Sequence, residues 1–193
     1  VICCDSISVN LFKLLCSALT LSSDRSVVLS TKDNFPTDLY MVQGLSDLLG
    51  PDLCQLQLVE EQLIQQSMTE SVAVLLLTQV NFRTGKLLDM AKLTQLAHDK
   101  GILVIWDLAH SAGALPVELD KCQVDFAVGC GYKYLNAGPG SPAFLYVAKH
   151  HQTAVKQPLS GWMGHANPFA FEPEYQAADS INQFQCGTPS VLA

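Results

Sequence analysis

Apolar residues recur along the chain at two spacings, one typical of amphipathic helices and one typical of buried strands. The helical spacing predicts helices over residues 9–19, 36–48, 59–66 and 89–99, the second of which begins at Pro36. Unbroken apolar runs predict strands at 26–30, 72–77 and 102–106, and two further short strands lie between 124 and 148. Strands that alternate with helices indicate right-handed crossovers. We therefore expect an α/β fold with three layers, α/β/α, around a mostly parallel central sheet.

The composition is that of a folded chain with a substantial interior. The 193 residues are 49% hydrophobic and only 15% charged, which argues against disorder and suits one domain. The formal net charge is −7 and the lysines and arginines are scattered, so the sequence has no basic stripe of the kind that binds nucleic acid. No apolar stretch approaches the roughly 20 residues that a membrane span needs. Small-molecule chemistry is the remaining expectation, without nucleic-acid or membrane partners.

The chain ends and the cysteines give further expectations. The chain begins without methionine in a strand-like run and stops in another apolar run, so we expect residues 1–193 to be incomplete at both ends. The seven cysteines form no Cys-x-x-Cys pair and no His/Cys cluster with zinc-like spacing, so we expect no structural metal. With no signal peptide, glycosylation acceptor or disulfide pattern, the expected location is a reducing cytoplasm.

A lone lysine stands between two tyrosines at Tyr132-Lys133-Tyr134, after an apolar run and before a turn rich in glycine and proline. Burial disfavours the charged ammonium, so the neutral amine, a nucleophile that forms Schiff bases, becomes more accessible. From local context alone the alternative is a surface lysine whose stem lets the charge reach water. The residues expected at the same edge of the sheet decide between the two.

Ligands of open α/β sheets gather beyond the carboxyl ends of the strands, and this rule selects the informative residues. Asp107 follows a strand, where a carboxylate either caps the next turn or pairs with a bound group. The other residues at this edge are Ser8 at a helix start suited to a phosphate, Thr78 after a strand, Phe35 and Asp38 at another helix start, and His110. Together with Lys133 they offer a phosphate cradle, an aromatic face, an acid and an amine, which are the requirements of pyridoxal 5'-phosphate. Nucleotide cofactors and Ser-His-Asp hydrolysis lack their glycine-rich motifs here.

Four motifs resemble those of kynureninase, a family of fold-type I pyridoxal-phosphate enzymes, in order and kind. They are Phe35-Pro36-Thr37-Asp38, Asp107-Leu108-Ala109-His110, Tyr132-Lys133-Tyr134-Leu135-Asn136 and Gly161-Trp162-Met163-Gly164-His165. The resemblance covers nearly the whole chain and implies the pyridoxal-phosphate-binding large domain, without the C-terminal small domain. The implied activity is hydrolysis of L-kynurenine or 3-hydroxykynurenine to anthranilate or 3-hydroxyanthranilate and L-alanine. This reaction belongs to tryptophan catabolism, the kynurenine pathway and NAD (pyridine nucleotide) biosynthesis.

The resemblance also implies a role for each matching position. Lys133 would form the Schiff base with the cofactor, Asp107 would pair with its pyridine nitrogen, and Tyr132 would be the proton donor of catalysis. Phe35 would stack on the cofactor ring. The other implied cofactor neighbours are Ile7, Ser8, Pro36, Thr37, Asp38, Thr78 and His110, with Trp162 and Thr188 reaching the partner subunit's cofactor in a homodimer.

Several positions depart from the family pattern. Gly131 stands where relatives often have Ser or Thr, Ser8 replaces the commoner Thr, and Thr188 stands where many members have Asn. Related class V aminotransferases and cysteine desulfurases share the plan of an aspartate followed by a lysine, so desulfuration or transamination is the alternative reaction. Tyr132, where those relatives usually have His, and the Gly-Trp-Met-Gly-His segment argue against it. A non-catalytic interaction domain that keeps the fold is the third alternative.

Overall fold

The computed structural model describes residues 1–190 and contains a mixed sheet of seven strands. In chain order the strands are β1 (Ile2–Cys3), β2 (Val27–Thr31), β3 (Gln55–Val59), β4 (Val72–Thr78), β5 (Leu103–Asp107), β6 (Phe126–Cys130) and β7 (Ala143–Val147). They are arranged in the order β1-β7-β6-β5-β4-β2-β3. The strands from β3 to β6 run parallel, whereas β7 is antiparallel to both β6 and β1. The expected mostly parallel sheet is confirmed.

Helices cover both faces of this sheet. The helices are α1 (Ile7–Leu21), α2 (Pro36–Leu49), α3 (Ile64–Ser67) and α4 (Met90–His98). Apolar residues of α1 and α2, such as Leu14 and Val42, form one core with the sheet, and residues of α3 and α4, such as Ile64 and Leu93, form a second core. The three-layer α/β/α architecture is therefore confirmed. Within residues 1–190, no helix is long and apolar enough to cross a membrane.

The segment 55–67 differs from its prediction. The helix expected over 59–66 was wrong, because Val59 ends strand β3 and only Ile64–Ser67, after a 3-10 turn at Glu61–Leu63, is α-helical. Strand β3 lies at the edge of the sheet beside β2 and is partly exposed. Its sequence Gln-Leu-Gln-Leu-Val alternates polar and apolar residues, which is the period of a strand with one wet face. The other predicted helices and strands are present, with ends that differ by a few residues.

The carboxyl ends of the parallel strands define the edge where a ligand site is expected. Thr78 and Asp107 are register partners at the ends of β4 and β5. Helix α2 begins directly after β2 and the short turn that follows it. Helix α1 begins at Ile7 with Ser6 as its N-cap, because the Val9 N–H donates a 3.3 Å hydrogen bond to Ser6 Oγ. Strand order thus brings the starts of two helices to the same edge as Asp107.

The extent of the domain stays a prediction, namely that residues 1–193 form an incomplete large domain.

Candidate cofactor site

A cavity of about 390 Å³ opens at this edge of the sheet. Eight of the residues predicted from sequence line it: Ile7, Ser8, Phe35, Thr37, Asp38, Asp107, Tyr132 and Lys133. Sequence reasoning did not select the remaining lining residues, which are Asp5, Ser6, Ala109, Cys130, Gly140, Ser141 and Ala143. A cavity of this size lies within the range of small-molecule sites.

Lys133 is half-buried and lines this cavity, so the structure does not place it as a freely solvated surface lysine. Its Nζ lies 3.3 Å from Nε2 of His110, 5.7 Å from the centre of the Phe35 ring and 5.8 Å from the centre of the Tyr132 ring. Burial, together with the nearby Lys133 charge, lowers the pKa of His110. The imidazole is therefore neutral at neutral pH and can exchange a hydrogen bond with the amine.

Two buried carboxyl groups, Asp38 and Asp107, face the same cavity. Asp38 is 0% exposed, and neither of its oxygens has a hydrogen-bond partner among residues 1–190. Burial and the neighbouring Asp107 charge raise the pKa of Asp38 well above its ordinary value. Burial also raises the pKa of Asp107, although the Ala109 N–H, 2.7 Å from its Oδ1, and the Lys133 charge oppose that increase. Asp107 is thus both a turn cap and a cavity residue, and the pair resists carrying two negative charges.

The start of α1 forms another part of the cavity lining. The N–H groups of Ile7 and Ser8 lie in the first helical turn and have no acceptor within the helix, so they can bind an anion. The acidic Asp5 also borders the cavity, but its carboxylate is paired at 2.5 Å with Nζ of the fully buried Lys13. Because that pair neutralises the carboxylate, the anion-binding character of the helix start is preserved.

Ser141 and Gly131 are two neighbouring features that sequence reasoning did not connect. Oγ of Ser141 is buried, borders the cavity and has no hydrogen-bond partner among the described residues. A Cβ atom on Gly131 would lie 2.9 Å from this oxygen and 2.8 Å from the Pro142 carbonyl oxygen. In this chain a hydroxyl from Ser141 therefore occupies the space beside position 131. The available signal was a serine in the glycine-rich turn after the Tyr-Lys-Tyr sequence.

Five predicted site residues do not line the cavity. One is His110, which contacts Lys133, and the other four lie as follows. Pro36 is the first residue of α2, and Thr78 donates its hydroxyl hydrogen bond to the Val80 carbonyl at 3.1 Å. Trp162 lies in a separate 3-10 turn and is 38% exposed. Thr188 borders a different, smaller cavity of about 160 Å³. Trp162 and Thr188 are therefore not brought to the site within one chain.

The chain is similar to known proteins at two levels. The sequence profile of the family described as Aminotransferase class-V matches residues 8–193. A kynureninase of Deinococcus radiodurans is 52% identical over 189 residues, which are 98% of this chain and 45% of that protein. A kynureninase of Pseudomonas fluorescens is 47% identical over an alignment of 198 positions that covers 100% of this chain and 47% of that protein. The chain thus spans about half the length of the curated relatives that it matches.

Solved structures agree with the fold. Apo cysteine desulfurase from Thermococcus onnurineus superposes with a TM-score of 0.82 at 20% identity, covering 97% of this chain and 47% of that one. A mutant of C-DES with glycine covalently linked to its PLP cofactor gives a TM-score of 0.79 at 18% identity, covering 96% and 50% of the two chains. At such low identity the likeness extends to the fold alone.

Proposed function

Because the chain belongs to the aminotransferase class-V family, we propose that it forms part of a pyridoxal-phosphate enzyme and that the whole protein is a kynureninase. The proposed reaction is hydrolysis of L-kynurenine or 3-hydroxykynurenine to L-alanine and anthranilate or 3-hydroxyanthranilate. The observation that carries the proposal is the convergence of Lys133, Asp107 and Tyr132 on one cavity. The kynureninases at 47–52% identity support this choice of reaction within the family. We also propose a cytoplasmic setting, in which the seven free cysteines stay reduced.

The residues of the cavity fit pyridoxal phosphate. The buried Asp38 carboxyl lacks a donor, and a protonated pyridine nitrogen beside the Asp38–Asp107 pair would supply a positive charge. Asp107 would bind that nitrogen, Phe35 would contact the ring face, and the Lys133 amine would bond to the aldehyde carbon. The α1 start and the unpaired Ser141 hydroxyl would bind the phosphate. When bound, the cofactor supplies an electron sink for charge that leaves the substrate Cα.

The chain's own residues would then bind, orient and move protons. The Lys133 amine would accept and return a proton, with His110 3.3 Å away as its hydrogen-bond partner. Burial, followed by the nearby Cys130 thiol, raises the pKa of Tyr132, so the phenol keeps its proton at neutral pH. A protonated phenol at the cavity wall suits a general acid that protonates the carbon released by cleavage.

Substrate turnover by the full-length protein tests the proposed function. We expect it to convert kynurenine or 3-hydroxykynurenine to the fluorescent anthranilate product. The variant Tyr132→Phe should bind the cofactor with its normal visible absorbance but lose kcat by at least about 100-fold, because it lacks the donated proton. Tyr134→Phe is the matched control, since Tyr134 is similarly exposed and lies outside the cavity lining. Its activity should be unchanged.

The same assays separate the alternatives. Turnover of cysteine or amino-group transfer, with both kynurenines inert, would instead establish desulfuration or transamination, which the family match also supports. Failure to bind cofactor or to turn over any of these substrates would favour the non-catalytic alternative. Either result contradicts the kynureninase proposal.

We further propose a homodimer in which Trp162 and Thr188 reach the partner subunit's cofactor. Trp162 forms an exposed aromatic cluster with Phe169 and Phe171, whose ring centres lie 5.6 and 6.5 Å from that of Trp162. Phe169 and Phe171 are 76% and 77% exposed, which is unusual for side chains that gain from burial. A dimer interface at this cluster would cover them.

Mixing two inactive variants tests the shared site. If Trp162→Ala and Lys133→Ala subunits exchange, each mixed dimer contains one site with both residues intact. We expect restoration to about a quarter of wild-type activity by statistical assembly. Light scattering should give the mass of a dimer for wild-type protein and both variants. Activity of the mixture equal to the sum of the separate variants, or a monomeric wild type, would contradict the shared site.

A further inference from the structure

Three histidines surround the carboxylate of Asp125 at the sheet edge opposite the cofactor cavity. Asp125 directly precedes β6, whereas Lys133 follows that strand, so the strand's length of about 17 Å separates the two regions. His98 ends helix α4, and His150 and His151 belong to the 3-10 turn Lys149–His151 after β7. No part of the proposed catalytic function uses these residues.

The two oxygens of Asp125 have different surroundings. Oδ2 accepts hydrogen bonds from the Val104 N–H at 2.9 Å and from Nε2 of His98 at 2.8 Å. Oδ1 faces the 3-10 turn, with Nε2 of His151 at 2.8 Å and Nε2 of His150 at 3.9 Å. The Asp125 side chain is only 3% exposed. The first pair of contacts therefore fixes the carboxylate, while the other oxygen is directed at two imidazoles.

These three ligand atoms have the spacing of a small metal site. Asp125, His150 and His151 each offer one ligand atom, and these atoms all lie within 4.8 Å of one another. Donors around a tetrahedral zinc ion, each about 2.0–2.1 Å from the metal, are about 3.3 Å apart. The observed separations of 2.8 and 3.9 Å lie on either side of that value.

The chemistry of the ligand set selects the class of ion. Two imidazoles and one carboxylate suit zinc and similar first-row divalent ions, whereas magnesium and calcium prefer sites made of oxygen alone. Asp125 supplies the carboxylate oxygen of this set, and the Val104 N–H and His98, which bond its other oxygen, leave Oδ1 directed at the two imidazoles.

We propose that Asp125, His150 and His151 bind one zinc-like divalent ion through Oδ1 and the two Nε2 atoms. Water completes the tetrahedron on the exposed side of His150, and His98 and Val104 hold the carboxylate in orientation, as outer-shell partners of metal ligands do. The ion replaces the Asp125–His151 hydrogen bond, the Nε2 proton of His151 leaves to water or moves to Nδ1, and the ion ties the turn after β7 to the start of β6. This site is independent of the proposed catalytic function.

Zinc titration of the cofactor-free full chain tests this site, with His150→Gln as the decisive variant. His150 is 68% exposed and its Nε2 is 3.9 Å from Asp125, so its removal should not change the melting temperature of metal-free protein. Zinc affinity should fall at least 10-fold in this variant. Lys149→Gln, in the same turn, is the matched control and should keep wild-type affinity. Zinc should raise the melting temperature of wild type and of the control, but not of His150→Gln.

Cobalt spectroscopy then identifies the ligands, because the chain also has seven free cysteines. Co²⁺ in the proposed site should give the visible bands of a tetrahedral ion without a thiolate charge-transfer band in the near ultraviolet. A thiolate band that persists in His150→Gln would locate the metal at cysteines and overturn the proposal. Equal zinc affinity in wild type and His150→Gln, or an equal loss in Lys149→Gln, would overturn it as well.

Discussion

Replacement of Lys133 by alanine is expected to abolish covalent attachment of pyridoxal phosphate to the full-length protein. Alanine has no amine to bond to the cofactor's aldehyde carbon, and the remaining cavity groups hold the cofactor only through noncovalent contacts. Wild-type protein reduced with borohydride should carry the cofactor mass on the peptide that contains Lys133. The variant should carry none, and its visible absorbance should be lost on gel filtration.

Lys149→Ala is the control for this experiment, because Lys149 is exposed and lies at the opposite edge of the sheet. It should be labelled on the Lys133 peptide as wild type is. An unchanged visible band in Lys133→Ala, or labelling of another lysine in wild type, would remove the cofactor assignment. Since this readout does not depend on turnover, it remains informative even if the substrate proposal is wrong.

Asp38→Asn is expected to stabilise the cofactor-free protein at neutral pH by about 1–3 kcal/mol, the contribution of a hydrogen bond from the new amide to the charged Asp107. The wild-type carboxyl is fully buried, lacks a donor and adjoins Asp107. The uncharged amide removes that repulsion and can donate a hydrogen bond to Asp107. The same substitution should weaken cofactor binding, because it removes the negative charge that favours a protonated pyridine nitrogen.

The free energy of unfolding of wild-type protein should depend on pH through Asp38. The pKa of Asp38 is raised in the folded state, so folded protein binds more protons than unfolded protein above the ordinary aspartate value of about 3.9. Wild-type stability should therefore fall as pH rises from that value towards the raised pKa, and the advantage of Asp38→Asn should grow over the same range. Urea unfolding at pH 5 and pH 8 measures this difference. Asp47→Asn, an exposed change in the same helix, should have little effect. A less stable Asp38→Asn at pH 8 would contradict the account.

Much of the site could be predicted because its position depends on local signals. Unbroken apolar runs predict the central strands, and residues at or just after the strand ends, such as Asp107 and Lys133, meet where parallel strands end. Strand β3 was not predicted, because its five residues of alternating polar and apolar side chains form a shorter pattern than the helical spacing that follows them. The lack of a hydrogen-bond partner for Asp38 could not be predicted from sequence. It depends on the positions of the donors on every element that packs around the carboxyl group.

The histidine cluster shows a different limit of sequence reasoning. Zinc-like spacing in sequence involves residues close together in the chain, whereas His98, Asp125 and His151 meet only because α4 ends, β6 begins and the turn after β7 lies at one edge. Their separations of 27 and 26 residues match no short motif. Only the sheet order, with β7 returning antiparallel beside β6, brings the pair of adjacent histidines to Asp125.

The buried Lys13 connects the first helix to a residue near the other end of the described chain. Its ammonium is fully buried and bonds both to the Asp5 carboxylate and, at 2.5 Å, to the Phe184 carbonyl, 171 residues later in the chain. At about 5–20 residues per second, the ribosome releases that second acceptor roughly 10–30 seconds after the lysine. Until then the first helix contains an ammonium that cannot be buried with both of its acceptors. The start of that helix, which lines the cavity, therefore reaches its final surroundings only after residue 184 has been synthesised.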